Sequence, residues 1–252
     1  MNIRSRQFWT EGWGSIAIAI GVALVIRWAL IEAYVIPSGS MLPSLLVHDH
    51  IFVNKAVYGI RLPFSEKWIV RFKKPERGEV IVFKYPKDPN QFFIKRIIGL
   101  PGDKILYENG KLYINDQLVE TIPQPTGGDW EWVRDADFQR EDFQNANYMQ
   151  DSKSNYEHFL EKLDGRTHSI LLPKHGFDSS EGPWTVPEGM LFVMGDNRQH
   201  SHDSRRWGFM PEENILGRAM FVWLSCEETL PRLTFLCNPL TIRWGRFFHQ
   251  VK

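Results

Sequence analysis

One apolar stretch constrains the architecture of this chain more than any other feature. Residues 14–31 read GSIAIAIGVALVIRWALI, and Arg27 is the only charged residue among them. As an α-helix this stretch would be roughly 27 Å long, close to the thickness of the hydrocarbon core of a membrane. Arg27 lies about one turn from its end, where a long side chain can reach the membrane interface. The stretch predicts a transmembrane anchor at 14–31, and a buried helix in a soluble protein is the alternative.

The flanking residues predict how such an anchor is oriented. Arg4 and Arg6 precede it, and no acidic residue comes before Glu11, so the positive-inside rule places residues 1–13 in the cytoplasm. The rest of the chain would then lie across the membrane. A cleaved signal peptide is the alternative, but residues 32–36 contain bulky side chains where a cleavage site needs small ones. We therefore expect an uncleaved, single-pass anchor.

The chain after this anchor has the pattern of an antiparallel β protein. With 43% hydrophobic and 13% aromatic residues, the sequence can bury a substantial core. Short runs of β-branched and aromatic residues alternate with turn signals such as Asn109-Gly110, which is typical of a hairpin. The runs predicted as strands are 51–55, 80–83, 92–98, 105–107, 112–114, 190–194 and 219–224. The sequence therefore predicts a mainly β fold, with an antiparallel sheet domain built from 32–120 and 188–252.

Residues 121–187 differ in character from the two segments that flank them. Within 129–162, nine acidic residues stand against four basic ones, and 170–172 is one of few apolar runs in the wider segment. This composition is typical of a solvated face or an extended hairpin and not of a core. We therefore expect 121–187 to be an inserted, β-rich subdomain on the far side of the membrane.

Charge and cysteine content exclude several classes of protein. Thirty basic residues balance thirty acidic ones without a dense Lys/Arg run, so nucleic acid is not an expected partner. The two cysteines, Cys226 and Cys237, are too few for a four-cysteine zinc site or a disulfide-rich scaffold. Their spacing allows one disulfide in an oxidising compartment, and two free thiols are the alternative.

Two histidine-containing segments raise the question of a metal site. Residues 48–50 and 200–203 contain His and Asp, which are zinc ligands. However, the chain has no helical His-Glu-x-x-His motif, and histidines are common in polar surface loops. A metal site is therefore not expected.

Two polar segments can supply catalytic chemistry. Residues 37–44 contain three serines, one glycine and two prolines, which predicts a rigid and exposed turn. In the strand-like run 92–98, Lys95 shares a face with Phe93 and Ile97, so that face is either buried or open to solvent. A buried lysine loses its charge more easily, and the neutral amine can accept a proton from a serine hydroxyl. The two segments suggest a Ser–Lys pair, in which lysine does the work of the histidine in a triad.

Four motifs follow the apolar stretch in a fixed order. They are PSGSMLP from Pro37, RGEVIVF from Arg77, IKRIIGLPGD from Ile94, and GDNR from Gly195 with the downstream residues Ser201, Asp203, Ser204, Arg205, Trp207 and Gly208. Together they resemble the successive boxes of bacterial type I signal peptidases, over residues 27–223 without the 121–187 insertion. The resemblance implies a serine endopeptidase of the bacterial inner membrane that removes signal peptides from exported preproteins. It also implies an acyl-enzyme mechanism without a cofactor.

The same resemblance implies roles for individual residues. Ser40 would be the nucleophile, and Lys95 would be its general base. The Ser38 hydroxyl and the Ser40 backbone N–H would stabilise the oxyanion of the tetrahedral intermediate.

Supporting and substrate-binding positions follow from the same motifs. Ser201 would orient the Lys95 amine, and Asp203 and Arg205 would pair behind it. Shallow apolar subsites for small substrate side chains would be lined by Ile36, Met41, Leu45, Phe93 and Ile94.

The expected partners are the signal peptides of preproteins and the lipid bilayer. In addition to the anchor, Trp68, Ile69 and Phe72 are candidates for contact with lipid, and ordinary packing of an apolar loop is the alternative.

Two other classes of protein fit parts of the pattern. A non-enzymatic, membrane-anchored binding or assembly protein would need no neutral lysine, so Lys95→Met would leave its function intact. A self-cleaving Ser–Lys repressor is cytosolic and carries a DNA-binding domain at the position where this chain has its apolar stretch.

Overall fold

The computed structural model describes residues 12–62, 68–138, 152–175 and 181–251. It begins with helix α1 (Trp13–Ala29), which covers most of the apolar stretch. The helix ends two residues before the predicted boundary, because Ile31 already pairs with Asn54 in a β-ladder. None of the helices within these four ranges combines the length and the hydropathy needed to cross a membrane.

The rest of the described chain consists mainly of β-strands. They are β1 (Ile31–Val35), β2 (Asp49–Asn54), β3 (Gly59–Arg61), β4 (Trp68–Arg71), β5 (Val80–Tyr85), β6 (Asp88–Gly99), β7 (Lys104–Glu108), β8 (Lys111–Ile114), β9 (Gln117–Leu118), β10 (Thr121–Pro123), β11 (Tyr156–Leu163), β12 (Arg166–Pro173), β13 (Glu181–Thr185), β14 (Met190–Met194), β15 (Met210–Pro211), β16 (Ile215–Ser225), β17 (Thr229–Leu230), β18 (Leu233–Cys237) and β19 (His249–Gln250). A second, one-turn helix is α2 (Ser204–Trp207). The 3₁₀ turns are Gly39–Met41, Gly128–Trp132, Asp135–Phe138, Lys153–Asn155, Arg198–His200, Glu212–Asn214, Pro239–Thr241 and Trp244–Arg246.

One large antiparallel sheet forms the centre of the molecule. Its strand order is β1-β2-β16-β5-β6-β14-β15, and β19 also pairs with β16. Both faces of β5 are buried, because Val80 and Val82 pack into one apolar core while Ile81 and Phe83 pack into another. The uninterrupted apolar run of β5 follows from this two-sided burial.

Smaller sheets extend this centre. The four-stranded sheet has the order β13-β7-β8-β9, and β17 pairs with β18 as β3 pairs with β4. The predicted hairpin is present between β7 and β8, where Asn109 and Gly110 both have positive φ, of 50° and 78°. An Asn-Gly turn of this kind suits the twist of the two strands it joins.

The region predicted as an insertion contributes a three-stranded sheet of order β10-β11-β12. This sheet is bonded to the rest of the molecule, since Leu171 in β12 forms an isolated parallel bridge with Asn197. A shared apolar cluster joins the two parts; its buried members are Leu42, Leu46, Val133, Phe138, Tyr156 and Leu171. The following strand, β13, pairs with β7. The domain limits at 121 and 187 remain a prediction.

The two cysteines are joined. A disulfide connects Cys226, directly after β16, to Cys237 at the end of β18, and it closes the β17–β18 hairpin.

The strand pairings of the central sheet confirm the predicted mainly antiparallel β class. The antiparallel pairs are β1 with β2, β14 with β6, β16 with β2, β16 with β5, and β5 with β6.

Candidate active site

A single 3₁₀ turn, Gly39–Met41, presents the proposed nucleophile. Ser40 lies at its centre and is 9% exposed. Gly39 permits the position of this turn, because a Cβ there would lie 2.5 Å from the backbone oxygen of Asp137. Any larger residue would therefore push the turn away from Asp137.

Strand β6 brings Lys95 to this turn. Its Nζ is 2.6 Å from Ser40 Oγ, which is hydrogen-bonding distance, and the lysine is only 4% exposed. Burial, the largest influence, lowers the pKa of Lys95 to about 8, against the opposing effect of the Asp203 and Asp196 carboxylates. The sequence pattern left open whether the Lys95 face of β6 is buried or exposed to solvent, and in the structure Lys95 is buried. The site thus contains an amine that can be neutral next to a serine hydroxyl.

Ser38 lies at the other side of Ser40. Its Oγ is 3.3 Å from Ser40 Oγ, and its side chain makes no capping hydrogen bond to the 3₁₀ turn that it precedes. Its backbone is extended, and the residue is exposed. A hydroxyl in this position can turn towards a group that binds above Ser40.

Asp203 and Arg205 form a bidentate ion pair behind the lysine. Arg205 Nε and Nη2 each lie 2.9 Å from an oxygen of Asp203, which also accepts a hydrogen bond from Gly195 N at 3.0 Å. Burial, the largest single influence, works against the ionised form of Asp203, but the Arg205 guanidinium and the hydrogen bonds to the carboxylate together hold its pKa below the usual value. The pair therefore ties the beginning of the 195–205 loop to its end.

Ser201 is buried in the same loop, but no hydrogen bond joins its Oγ to Lys95 Nζ among the described contacts. Gly195 allows the close packing here, because a Cβ on it would lie 2.4 Å from Ser40 O and 2.3 Å from Ser201 Oγ. The orienting role of Ser201 remains a prediction.

Sequence reasoning missed several residues that hold the site together. Arg96, the neighbour of Lys95, donates to Asp196 through Nε and Nη2 at 2.8 and 2.6 Å. Ser44 Oγ donates to the same carboxylate at 2.6 Å. Asn197 donates through Nδ2 to Gly39 O at 3.0 Å and through its backbone N to Ser40 O at 3.2 Å. Arg96, Asp196 and Asn197 lie inside recognised motifs, but a local pattern does not reveal partners that are 100 to 158 residues away in the chain.

The predicted apolar subsite residues differ in how accessible they are. Ile36, Met41, Leu45 and Ile94 belong to one buried core cluster, and Met41 and Leu45 have no exposed area. Phe93 is partly exposed and stacks on Tyr85 at a centroid distance of 4.5 Å. The assignment of these five residues to substrate subsites remains a prediction.

The histidines have other contacts in the structure. His48 Nδ1 lies 3.2 Å from Glu227 O, His200 contacts the Tyr156 hydroxyl, and His202 Nε2 lies 3.3 Å from the hydroxyl of Tyr85. Within the described ranges, one group of potential ligands, His50 with the two cysteines, has its ligating atoms within 4.8 Å of one another. Both of its sulfur atoms are already used by the disulfide.

The sequence of this chain was also compared with those of known proteins. The family model described as signal peptidase, peptidase S26 matches residues 9–224. A signal peptidase I of Pseudomonas fluorescens is 39% identical over 233 residues, which are 86% of this chain and 72% of that protein. One from Rickettsia felis is 36% identical over 236 residues, which are 87% of this chain and 81% of that protein.

A solved structure was also found, of a signal peptidase I from Enterococcus faecalis V583. It is 27% identical and covers 58% of this chain and 97% of its own, with a TM-score of 0.31 that supports no comparison of the two folds. The extent of the family match and the identity of the relatives decide the assignment. The chain belongs to the signal peptidase family, peptidase S26, and is a serine peptidase.

Proposed function

We propose that this chain is a membrane-anchored endopeptidase that removes N-terminal signal peptides from exported preproteins by a Ser–Lys mechanism. The observation that carries the proposal is the 2.6 Å distance between Lys95 Nζ and Ser40 Oγ. With a pKa of about 8, a useful fraction of this buried lysine is neutral near physiological pH and can act as a general base. The relatives named signal peptidase I support the substrate class.

The reaction would proceed in two halves. Ser40 Oγ attacks the scissile carbonyl carbon while neutral Lys95 takes the hydroxyl proton, and the resulting ammonium gives that proton to the leaving amine of the mature protein. The Ser38 hydroxyl and the Ser40 backbone N–H donate to the oxyanion. A water molecule then attacks the ester carbonyl carbon while Lys95 accepts its proton. When the second tetrahedral intermediate collapses, the Lys95 ammonium gives that proton to Ser40 Oγ as the C–O bond breaks, which releases the signal peptide and restores both residues.

The membrane location rests on the apolar surface of the molecule. Many apolar side chains of α1 are exposed; they include Ile16, Ile18, Ile20, Val22, Leu24, Val25 and Ile26. Ile69 and Phe72 in the β4 region are 58% and 60% exposed, as expected of residues that contact lipid. The disulfide is consistent with an extracytoplasmic catalytic domain. This arrangement would hold Ser40 near the membrane surface, where a translocated preprotein exposes its cleavage site.

Cleavage of a preprotein in detergent by the intact protein tests the proposal. We expect Ser40→Ala and Lys95→Ala to lower kcat by at least about a thousandfold, because each removes one half of the reacting pair. Ser154→Ala and Lys111→Ala, at exposed positions, are the matched controls and should keep wild-type rates. A near-normal rate for Ser40→Ala or Lys95→Ala would contradict the mechanism, whereas absence of cleavage by the wild type would favour a non-enzymatic binding protein.

A further inference from the structure

A buried acid in the inserted region lies next to the catalytic loop. Glu161 on β11 has no exposed area, although exposed Glu157 lies on the same strand. Its Oε2 forms an ion pair with Arg198 Nη2, and Arg198 is itself almost completely buried. Burial, the largest single influence, opposes ionisation, but the Arg198 guanidinium and His168 together lower the pKa of Glu161 to about 2, so the carboxylate stays charged.

Arg198 lies between two groups of contacts that the 195–205 loop makes. The preceding residue, Asn197, is bonded to the backbone of the nucleophile turn through two hydrogen bonds. The backbone oxygen of Arg198 accepts a hydrogen bond from Arg205 Nη2, and Arg205 pairs with Asp203. Any shift of Arg198 would therefore move both the support of Ser40 and the ion pair behind Lys95.

The neighbouring strand reinforces this contact. His168 on β12 places Nε2 at 3.3 Å from Glu161 Oε2 and at 4.0 Å from Asp196 Oδ1. The backbone N of Leu171 donates to Asp196 O at 2.9 Å. The β11–β12 hairpin thus meets the loop at residue 196 through both backbone and side chain, and at residue 198 through Glu161.

We infer that Glu161 is a positioning residue for the reaction proposed above: through Arg198 it fixes the 195–205 loop against Ser40 and Lys95. The inference rests on the proposed function and extends it to the inserted region. Glu161 has no exposed area and so does not meet the substrate, and it acts on the rate only through the placement of other groups. Small displacements of a catalytic group are sufficient for large losses of rate.

Kinetics of three variants of the intact protein separate this role from plain stabilisation. Glu161→Ala should lower kcat about 10- to 100-fold with KM within about twofold, because the reacting groups lose their alignment while substrate contacts remain. Glu161→Gln can still accept a hydrogen bond from Arg198 and should lose less. The double variant E161L/R198M replaces the pair by apolar side chains, so its Tm should recover towards that of the wild type while kcat stays low. Glu157→Gln is the matched control and should behave as wild type in kcat, KM and Tm.

Two results would overturn the inference. One is a kcat that recovers together with Tm in E161L/R198M, which would mean that the pair only stabilises the fold. The other is a wild-type kcat in Glu161→Ala and Glu161→Gln, with preprotein cleavage by the wild type intact. Absence of cleavage by the wild type itself would instead overturn the proposed function, and this inference with it.

Discussion

At the scale of single residues, the site depends on a lysine that burial makes less basic. Asp203 and Asp196 lie close enough to favour the ammonium form, and desolvation still lowers the pKa of Lys95 to about 8. The pKa of Lys95 thereby lies between that of an ordinary surface lysine, which is protonated at neutral pH, and that of an amine too weakly basic to accept a serine proton. Because Lys95 Nζ lies next to Ser40 Oγ, this intermediate basicity suits the proposed role of Lys95 as the acceptor of the serine proton.

The activity should therefore fall on the acid side of about pH 8. Below the pKa, the amine is protonated and cannot accept the Ser40 proton, so kcat/KM should drop about tenfold per pH unit. Above it, the amine is neutral and the rate should reach a plateau. The measurement is kcat/KM for a preprotein between pH 6 and 10, with binding to Ser40→Ala as the control for pH effects on substrate affinity. A rate that is independent of pH down to pH 6 would exclude an amine base with this pKa.

Ser38 allows a second prediction at this scale. Its hydroxyl is not used to cap the nucleophile turn and lies 3.3 Å from Ser40 Oγ. We expect Ser38→Ala to lower kcat by about a hundredfold with little change in KM, since an oxyanion donor acts mainly in the transition state. Ser38→Thr, which keeps a hydroxyl, should retain more activity than the alanine variant. Equal rates for Ser38→Ala and wild type would remove Ser38 from the oxyanion site.

At the scale of elements, local chemistry predicted much of the secondary structure. The Asn109-Gly110 pair predicted the β7–β8 hairpin, because few other residues adopt positive φ at both positions of its turn. The apolar run 190–194 coincides with β14. The end of α1 was misplaced, because the apolar pattern continues into β1 and pairing with β2, not hydropathy, ends the helix.

Contacts between distant elements were beyond the reach of sequence patterns. Alternation along β6 put Lys95 on one face but did not tell whether that face is covered. Its burial requires the turn around Ser40 and the 195–205 loop, which are separated from it by 55 residues or more. The Glu161–Arg198 pair was missed because a charge-rich segment is more often solvated than buried.

The disulfide gives a prediction about one element, the β17–β18 hairpin. Closing a loop of this size restricts the unfolded chain and should add up to about 3 kcal/mol to the free energy of unfolding. The double variant C226S/C237S should therefore have a lower Tm, but the same kcat/KM at temperatures where it is folded. Wild type in a reducing buffer is the control and should match the variant. Unchanged thermal unfolding would show that the disulfide does not contribute to stability.

At the scale of the whole molecule, the charge pattern of the sequence and the disulfide support the proposed orientation across the membrane. Positive charge precedes the apolar helix, and the disulfide lies in the domain that follows it. These two features point in the same direction, since basic residues are retained in the cytoplasm and disulfides persist outside it. Ile69 and Phe72 form a second exposed apolar surface in addition to that of α1.

This orientation predicts how the protein behaves in isolated membranes and in spheroplasts. We expect alkaline carbonate to leave the chain in the membrane pellet, because an apolar helix resists extraction that removes peripheral proteins.

Protease accessibility tests the direction of the anchor. Protease added to the outside of spheroplasts should digest the β domain and spare a tag placed at the N-terminus, and a cytoplasmic marker should stay intact as a control. Arg4→Glu combined with Arg6→Glu should make part of the tag accessible, because the charge that retains the N-terminus is reversed. Complete extraction by carbonate, or digestion of the wild-type tag from outside, would contradict the anchor and its direction.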